Sequence, residues 1–302
     1  MKNIPSKRVP AAPRTASHLQ RKMLVGVVAT CFIGAAQANP SEPQVVAGQA
    51  SFNQQGNLFS ITNTPNTIIN WQGFSIGANE ITRFIQQSGD SKVLNRITGQ
   101  DPSQILGALQ SNGKVFLINP NGVMFGAGSR VDVNGLVASS LNIGDADFLA
   151  GKNNFAGGAG AGKVVNQGTI TTPGGGQVYL IAPHVENSGI ITAANGDIVL
   201  AAGESVQLVD SSNPDVHVQI SAPADQALNL GSIVAQGGRV GIYGALVNQR
   251  GRVSADSAVL GDAGQIILKS SGTTLLEAGS TTTATGANGA GGSIELLGRT
   301  SA

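Results

Sequence analysis

Gly113-Lys-Val-Phe-Leu-Ile-Asn-Pro-Asn-Gly-Val-Met-Phe-Gly-Ala-Gly128 is the stretch on which the fold turns. Val115 to Ile118 is an unbroken apolar run, the pattern of a strand covered on both faces. Asn119-Pro120-Asn121-Gly122 stops it with four turn formers: Pro120 fixes φ, Gly122 tolerates φ > 0, and the asparagine amides can bond their own backbone or stack on neighbours. The strand pattern resumes at Val123 to Phe125. It resumes again from Arg130 to Leu136, where Val131, Val133 and Gly135 alternate with Arg130, Asp132 and Asn134. Short strands separated by polar corners, over and over, describe a chain that coils.

Downstream, from Lys163, the chain repeats itself. Asn-x-Gly-x-Ile occurs at Asn166/Gly168/Ile170, Asn187/Gly189/Ile191 and Asn229/Gly231/Ile233, offsets of 21 and 42 residues that read as one period and two. A looser copy starts at Asn248 with Gly251 and Val253. Gly-x-apolar-x-apolar strands follow, beginning at Gly176, Gly196, Gly238, Gly264 and Gly292. A coil of this length is what a parallel β-helix needs, with each rung bonded to the next at ~4.8 Å and like residues stacked in columns. On this reading Gly and Asn recur because corners need left-handed backbone, and Asn adds side-chain ladders. A β-sandwich also gives regular short strands but does not demand the same residues in phase. The β-helix places Ile170 and Ile191 at equivalent interior positions of adjoining rungs.

The segments before the repeats read as strands over Pro43 to Phe52, Leu58 to Asn63, Asn66 to Ile76 and Glu80 to Gln86, the first two forming a cap over the open end of the stack. Trp71 is read as core. In Thr98 to Leu109, Asp101 can cap, Pro102 suits a first helical position, and Ile105, Leu106 and Leu109 share a face, which predicts a short helix. Gly144 to Gly151 predicts a second helical turn.

Charged residues are 12% of the chain, glycines number 42, aromatics are 4% and the formal net charge is +1. These values argue against helical globules and against a nucleic-acid partner, which needs a basic stripe and stacking platforms. Lys2, Lys7, Arg8, Arg14, Arg21 and Lys22 precede an apolar run from Met23 to Ala36, and Ala36-Gln37-Ala38 offers small residues before a cleavage site between Ala38 and Asn39. Residues 1–38 thus read as a secretory signal with an extended basic beginning, and export follows. Cys31, the single cysteine, lies inside it. Residues 291–302 read as the start of a further coil, and the chain as a fragment of something longer.

Catalytic chemistry is not suggested. Gly157-Gly-Ala-Gly-Ala-Gly-Lys163 imitates a phosphate loop, but Val164 follows in place of Ser or Thr and starts a strand, so a glycine-rich loop is expected. His184 and His217 stand in different repeats with no cysteine near them, which predicts no metal, and no cofactor is implied. Asp145, Asp147, Glu186, Asp197, Glu204, Asp210 and Asp215 are scattered singly and read as solvating charges, unlike the clustered carboxylates of a polysaccharide-cleaving β-helix. The expectation is a protein that is not an enzyme.

The run Phe116 to Gly126, continuing through Val131-Asp-Val-Asn-Gly-Leu-Val-Ala-Ser-Ser-Leu-Asn142, resembles the amino-terminal secretion domain of two-partner secretion exoproteins, the filamentous haemagglutinin family. The resemblance covers roughly residues 39 to 290. Many members carry an upstream Asn-Pro-Asn-Leu motif; here Thr64-Pro65-Asn66-Thr67 and Leu94-Asn95-Arg96-Ile97 stand instead. The resemblance implies an all-β chain, a right-handed parallel β-helix with an N-terminal β cap and small extra-helical elements. It also implies Sec-dependent passage to the periplasm of a Gram-negative bacterium, then recognition of the unfolded chain by the periplasmic domains of an outer-membrane β-barrel transporter. Folding outside the cell follows, as part of an adhesin whose further partner is a host surface or carbohydrate. Asn119, Pro120, Asn121 and Gly122 are its secretion motif, read either as a corner that nucleates the stack or as a direct contact with the transporter. A stand-alone binding β-helix and an autotransporter passenger are the rival readings.

Overall fold

Ile170 and Ile191 lie side by side in parallel strands, and both are fully buried. Their column continues to Ile233 and Val253 in one direction and to Val131 and Leu109 in the other. The computed structural model describes residues 39–157, 160–209, 217–221, 225–258, 264–287 and 291–301, and these build a parallel β-helix. Ala38, Cys31, Asp210 and Asp215 lie outside the described residues. One rung comprises His184–Asn187, Ile190–Ala193 and Asp197–Ala202, stacked in register on Val164–Asn166, Thr169–Thr172 and Gln177–Ala182. Parallel pairing of all three strands removes the sandwich alternative, whose sheets would pair antiparallel within themselves.

The 42-residue offset has a different origin from the one expected. Asn187 is paired directly with Asn229, so the two are one rung apart. The additional residues leave the helix as an excursion that includes the antiparallel strands Ser205–Val209 and His217–Ser221. The fourth copy is also displaced by one residue: Gln249, not Asn248, continues the column. An amide ladder runs through it, from Asn166 Nδ2 to Asn187 Oδ1 (2.8 Å), from Asn187 Nδ2 to Asn229 Oδ1 (2.8 Å), and from Asn229 Nδ2 to Gln249 Oε1 (2.7 Å). All four residues are fully buried. A glutamine serves as well because the ladder needs an amide that donates to one neighbour and accepts from the other. Asn248 points elsewhere and donates to Glu277.

The repeated glycines are not left-handed corners. Gly168, Gly189, Gly231 and Gly251 have no positive φ; a Cβ on any of the last three would overlap the carbonyl oxygen of the glycine one rung earlier. Close approach between rungs dictates glycine here. The left-handed positions fall at the next corner, just before Gly196 and Gly238, at Asn195 (φ 51°), Gln236 (φ 40°) and Gly237 (φ 88°).

The apolar runs have two sides to cover. Val115, Leu136, Val178, Ile198, Val240 and Ile266 form one interior column. Their neighbours Phe116, Val137, Tyr179 and Val199 point outward and are still buried. What buries them is a second layer: Asn142–Ile143, Asn153–Ala156, Ser205–Val209 and His217–Ser221 form a four-stranded antiparallel sheet, joined by the helix Asp145–Leu149. Phe148 from that helix meets Phe116 edge to face, ring centroids 5.1 Å apart. The expected helical turn at Gly144 to Gly151 is therefore present and holds the second layer down.

The helix expected within Thr98 to Leu109 is absent. Ser103–Ile105 is a strand, paired in parallel with Val123–Phe125, and Ala108 already begins the long strand Ala108–Ile118. Ile105 and Leu109 both face the interior because the chain turns a corner between them at Leu106-Gly107, where a Cβ on residue 107 would overlap the Gly77 carbonyl. Local spacing imitated a helix, and pairing with the next rung overrode it.

At the other end, Gln44–Ala47 runs antiparallel to Thr67–Trp71, and Ala50–Gln55 antiparallel to Leu58–Asn63, which then pairs in parallel with Ile81–Ile85. The cap thus converts hairpin pairing into rung pairing. Phe52, Phe59, Trp71, Phe74 and Phe84 fill the first rungs as a chain of ring contacts with centroids 5.6–6.4 Å apart. Trp71 is core, as expected, and donates from Nε1 to Asn95 Oδ1 at 3.0 Å.

Asp256 holds two late rungs together. It accepts from Ser254 Oγ (2.7 Å), Thr283 Oγ1 (2.7 Å), Thr285 N (2.7 Å) and Thr285 Oγ1 (2.8 Å). Burial pushes its carboxyl up, but these donors outweigh burial and hold it at about 2. A depressed carboxyl contributes stability above its unfolded value of 3.8 and loses it as the pH falls through about 2. Discounted for solvent screening, Asp256→Ala is expected to cost ~1–2 kcal/mol at neutral pH. In urea titrations that difference from the unmodified chain should shrink towards pH 2, and a gap independent of pH would rule out the ionic contribution.

Candidate functional site

The corner Asn119-Pro120-Asn121-Gly122 sits where the strand Ala108–Ile118 ends and Val123–Phe125 begins. Gly122 N donates to Asn119 O at 2.9 Å and Gly122 has φ 110°, so the turn requires glycine there. The side chain of Asn119 is fully buried and uses both ends of its amide. Nδ2 donates to Asp101 O (2.9 Å) and Ser103 Oγ (3.0 Å); Oδ1 accepts from Asn121 N (2.9 Å) and Asn121 Nδ2 (3.2 Å). Asn121 Nδ2 donates also to Gly99 O at 2.9 Å. The two amides therefore stitch the corner to the preceding rung.

Backbone bonds tie it to the following one. Asn119 N donates to Ser139 O (2.9 Å), Gly162 N to Pro120 O (2.8 Å) and Val123 N to Lys163 O (3.0 Å). The last glycine of the phosphate-loop imitation is thus a corner of the next rung, and a Cβ on Gly162 would overlap Asn121. Pro120 is exposed and Asn121 half-buried, so the motif shows solvent only its tip. Of the predicted residues the structure brings Asn119, Pro120, Asn121 and Gly122 into one network. Asn39, on the far side of the predicted cleavage point, is the first described residue.

The partners Gly99, Asp101 and Ser103 were missed, because the helix expected there hid their carbonyls and hydroxyl. Arg96 was missed as well. In the segment where the upstream family motif is replaced, it donates to Asn142 Oδ1 (3.1 Å), Ile143 O (2.7 Å) and Asp145 Oδ1 (2.7 Å), pinning the second layer to the helix. Asp145 and Asp197 are accordingly more than solvating charges: the first pairs with Arg96 and the second with Arg239. His184 is exposed and opens a strand; His217 opens another, in the antiparallel sheet. Among the described residues no three His, Cys, Asp or Glu side chains converge as a metal site would require.

A capped β-helix with its outer face covered by a small antiparallel layer, tightened at a buried asparagine corner, defines a β-solenoid domain. The chain belongs to the TPS secretion domain family, whose family model matches residues 36–282. It is the secretion domain of a two-partner secretion exoprotein of the filamentous haemagglutinin type, and the family implies a cognate outer-membrane transporter as its partner. It is 35% identical over 189 residues to a heme/hemopexin-binding protein of Haemophilus influenzae, a match covering 59% of this chain and 21% of that protein. A second heme/hemopexin-binding protein of Haemophilus influenzae is 40% identical over 75 residues, covering 25% of this chain and 8% of that protein. The chain thus spans only about a fifth, or less, of these relatives. The crystal structure of the HMW1 secretion domain from Haemophilus influenzae superimposes with a TM-score of 0.81 at 34% identity, covering 87% of this chain and 71% of that one.

Proposed function

We propose that this domain is handed to its transporter unfolded, after Sec-dependent export, and that it folds outside the cell to start the β-helix of a large adhesin-like exoprotein. It does so without catalysing a reaction. The observation that supports this reading is the rung-by-rung construction. The parallel strands of the helix find their main-chain partners in the preceding and following rungs, so an unfolded segment presents N–H and C=O groups that can add to a sheet edge of the transporter. Once outside, the same groups pair with their own neighbours. Burial of one coil after another then makes return costly and drives export without ATP. The asparagine corner has a structural role here, and export fails with it because folding fails. Adhesion to a host surface or carbohydrate belongs to the remainder of the exoprotein.

The test uses the absence of any cysteine beyond Cys31. Thr171 and Thr192 are in-register neighbours on adjacent parallel strands, separated by a rung spacing of ~4.8 Å that a disulfide can bridge. With both changed to cysteine, the oxidising periplasm should close a covalent loop between the two segments, which an extended chain threading the transporter cannot accommodate. Secretion should then fall at least about tenfold and recover with reductant, while each single variant secretes normally. Normal export of the cross-linked chain would overturn the unfolded-passage reading.

A further inference from the structure

The outer face of the helix carries a polar column beside the apolar one that the second layer covers. Lys92, Lys114, Gly135, Gln177, Asp197 and Arg239 follow one another in register. Asp197 and Arg239 neutralise each other through two hydrogen bonds of 2.7 and 2.9 Å. The two lysines have no such arrangement. They are like charges on adjacent rungs, which is unfavourable in a sheet. The carboxylate paired with Lys114, that of Asp90, is 3.5 Å away on a side chain 96% exposed. Lys92 donates to the Phe148 carbonyl and lies 4.5 Å above that residue's ring. Burial first, and the charge of Lys114 second, push its ammonium below its ordinary value, which an anion in contact would reverse.

Gly135 follows the lysines in the column, and the stem of Lys114 lies across it: a Cβ there would stand 3.0 Å from Lys114 Cγ, so glycine lets that lysine lean along the wall. Beside it is a cavity of about 190 Å³, lined by Phe116 and Val137 of the helix and by Phe148 and Asn153 of the second layer. Gln177 lines the same wall. Asp197 and Arg239 line it too, as a mutually neutralised pair, and the two lysine cations, two amides and apolar floor that remain are a set suited to a carboxylate on a small hydroxylated ring.

We propose that this cavity binds a sugar acid, its carboxylate bridging Lys92 and Lys114 and its hydroxyls bonded to Asn153 and Gln177. The site is independent of the export route. Isothermal titration of the purified chain with glucuronate should give saturable heat, with glucose and inorganic phosphate at least about tenfold weaker. Lys114→Gln, at a partly exposed side chain, should weaken glucuronate about tenfold or more with unchanged thermal unfolding, and Lys114→Arg should retain it. Gly135→Val should push the Lys114 stem off the wall and weaken binding about tenfold or more. Absence of saturable glucuronate binding, equal affinity for glucose or phosphate, or full affinity in Lys114→Gln would each overturn the proposal.

Discussion

Gly231→Ala is expected to destabilise the domain by about 3 kcal/mol or more, although it adds a single methyl group. The new Cβ would overlap the Gly189 carbonyl oxygen and lie 2.8 Å from Ser188 C and 2.9 Å from Gly189 N. All three are backbone atoms of the neighbouring rung, so no side chain can rotate out of the way. Relief must come from lengthening the rung spacing. That would stretch the adjoining hydrogen bond of 2.8 Å from Asn187 Nδ2 to Asn229 Oδ1 and the Ile191–Ile233 contact column together. A loss of this size is a large part of the ~5–15 kcal/mol by which domains are stable. Equilibrium denaturation of Gly231→Ala checks it, with Gly56→Ala as the contrast. Gly56 has φ 55° and nothing within 4 Å of its Cβ position, so its cost is limited to backbone strain of ~1–2 kcal/mol. If the two variants melted alike, steric contact between rungs could not be the reason for glycine in this column.

The column glycines also mark how far sequence reading extends. The stack itself was legible because ladders need the same residue type at the same place, so Asn166, Asn187, Ile170 and Ile191 announced their pairing. The Asn187-to-Asn229 interval misled because a count of residues cannot distinguish two rungs from one rung plus an excursion; Ser205–Val209 and His217–Ser221 have the alternation of any strand. The antiparallel layer was visible only as apolar runs too continuous for one-sided strands. What would cover them lay distributed among Phe148, Phe155, Val206 and Leu208, with no local period to connect them. The corner motif was legible as a turn, while its partners at Gly99, Asp101 and Ser103 were concealed by Asp101-Pro102 and the Ile105/Leu109 spacing, which satisfy the local rules for a helix start. Only the strand Val123–Phe125, supplied a rung later, decides otherwise.

That same region determines what the motif does. Asn119→Ala should remove the acceptor of Asn121 N–H and a donor to both Asp101 O and Ser103 Oγ, at a position with no solvent access. Each buried group left without a partner costs ~1–3 kcal/mol, and a joint loss of ~3 kcal/mol is expected after partial relaxation. Secretion should decline with stability, because the corner joins the rung of Ser103 to that of Ser139 and the stack cannot propagate past it. Pro120 offers the opposite case. Its ring is exposed and proline donates no backbone hydrogen bond, so Pro120→Ala keeps the turn's contacts and should cost under ~1 kcal/mol, with secretion near normal. Urea midpoints and the secreted fraction, measured on both variants, separate the two roles of the motif. A corner that acts through folding makes the two quantities move together. If Pro120→Ala lost secretion while keeping its midpoint, the exposed tip would be touching the transporter, and the motif would be a recognition element that happens to sit on a well-built turn.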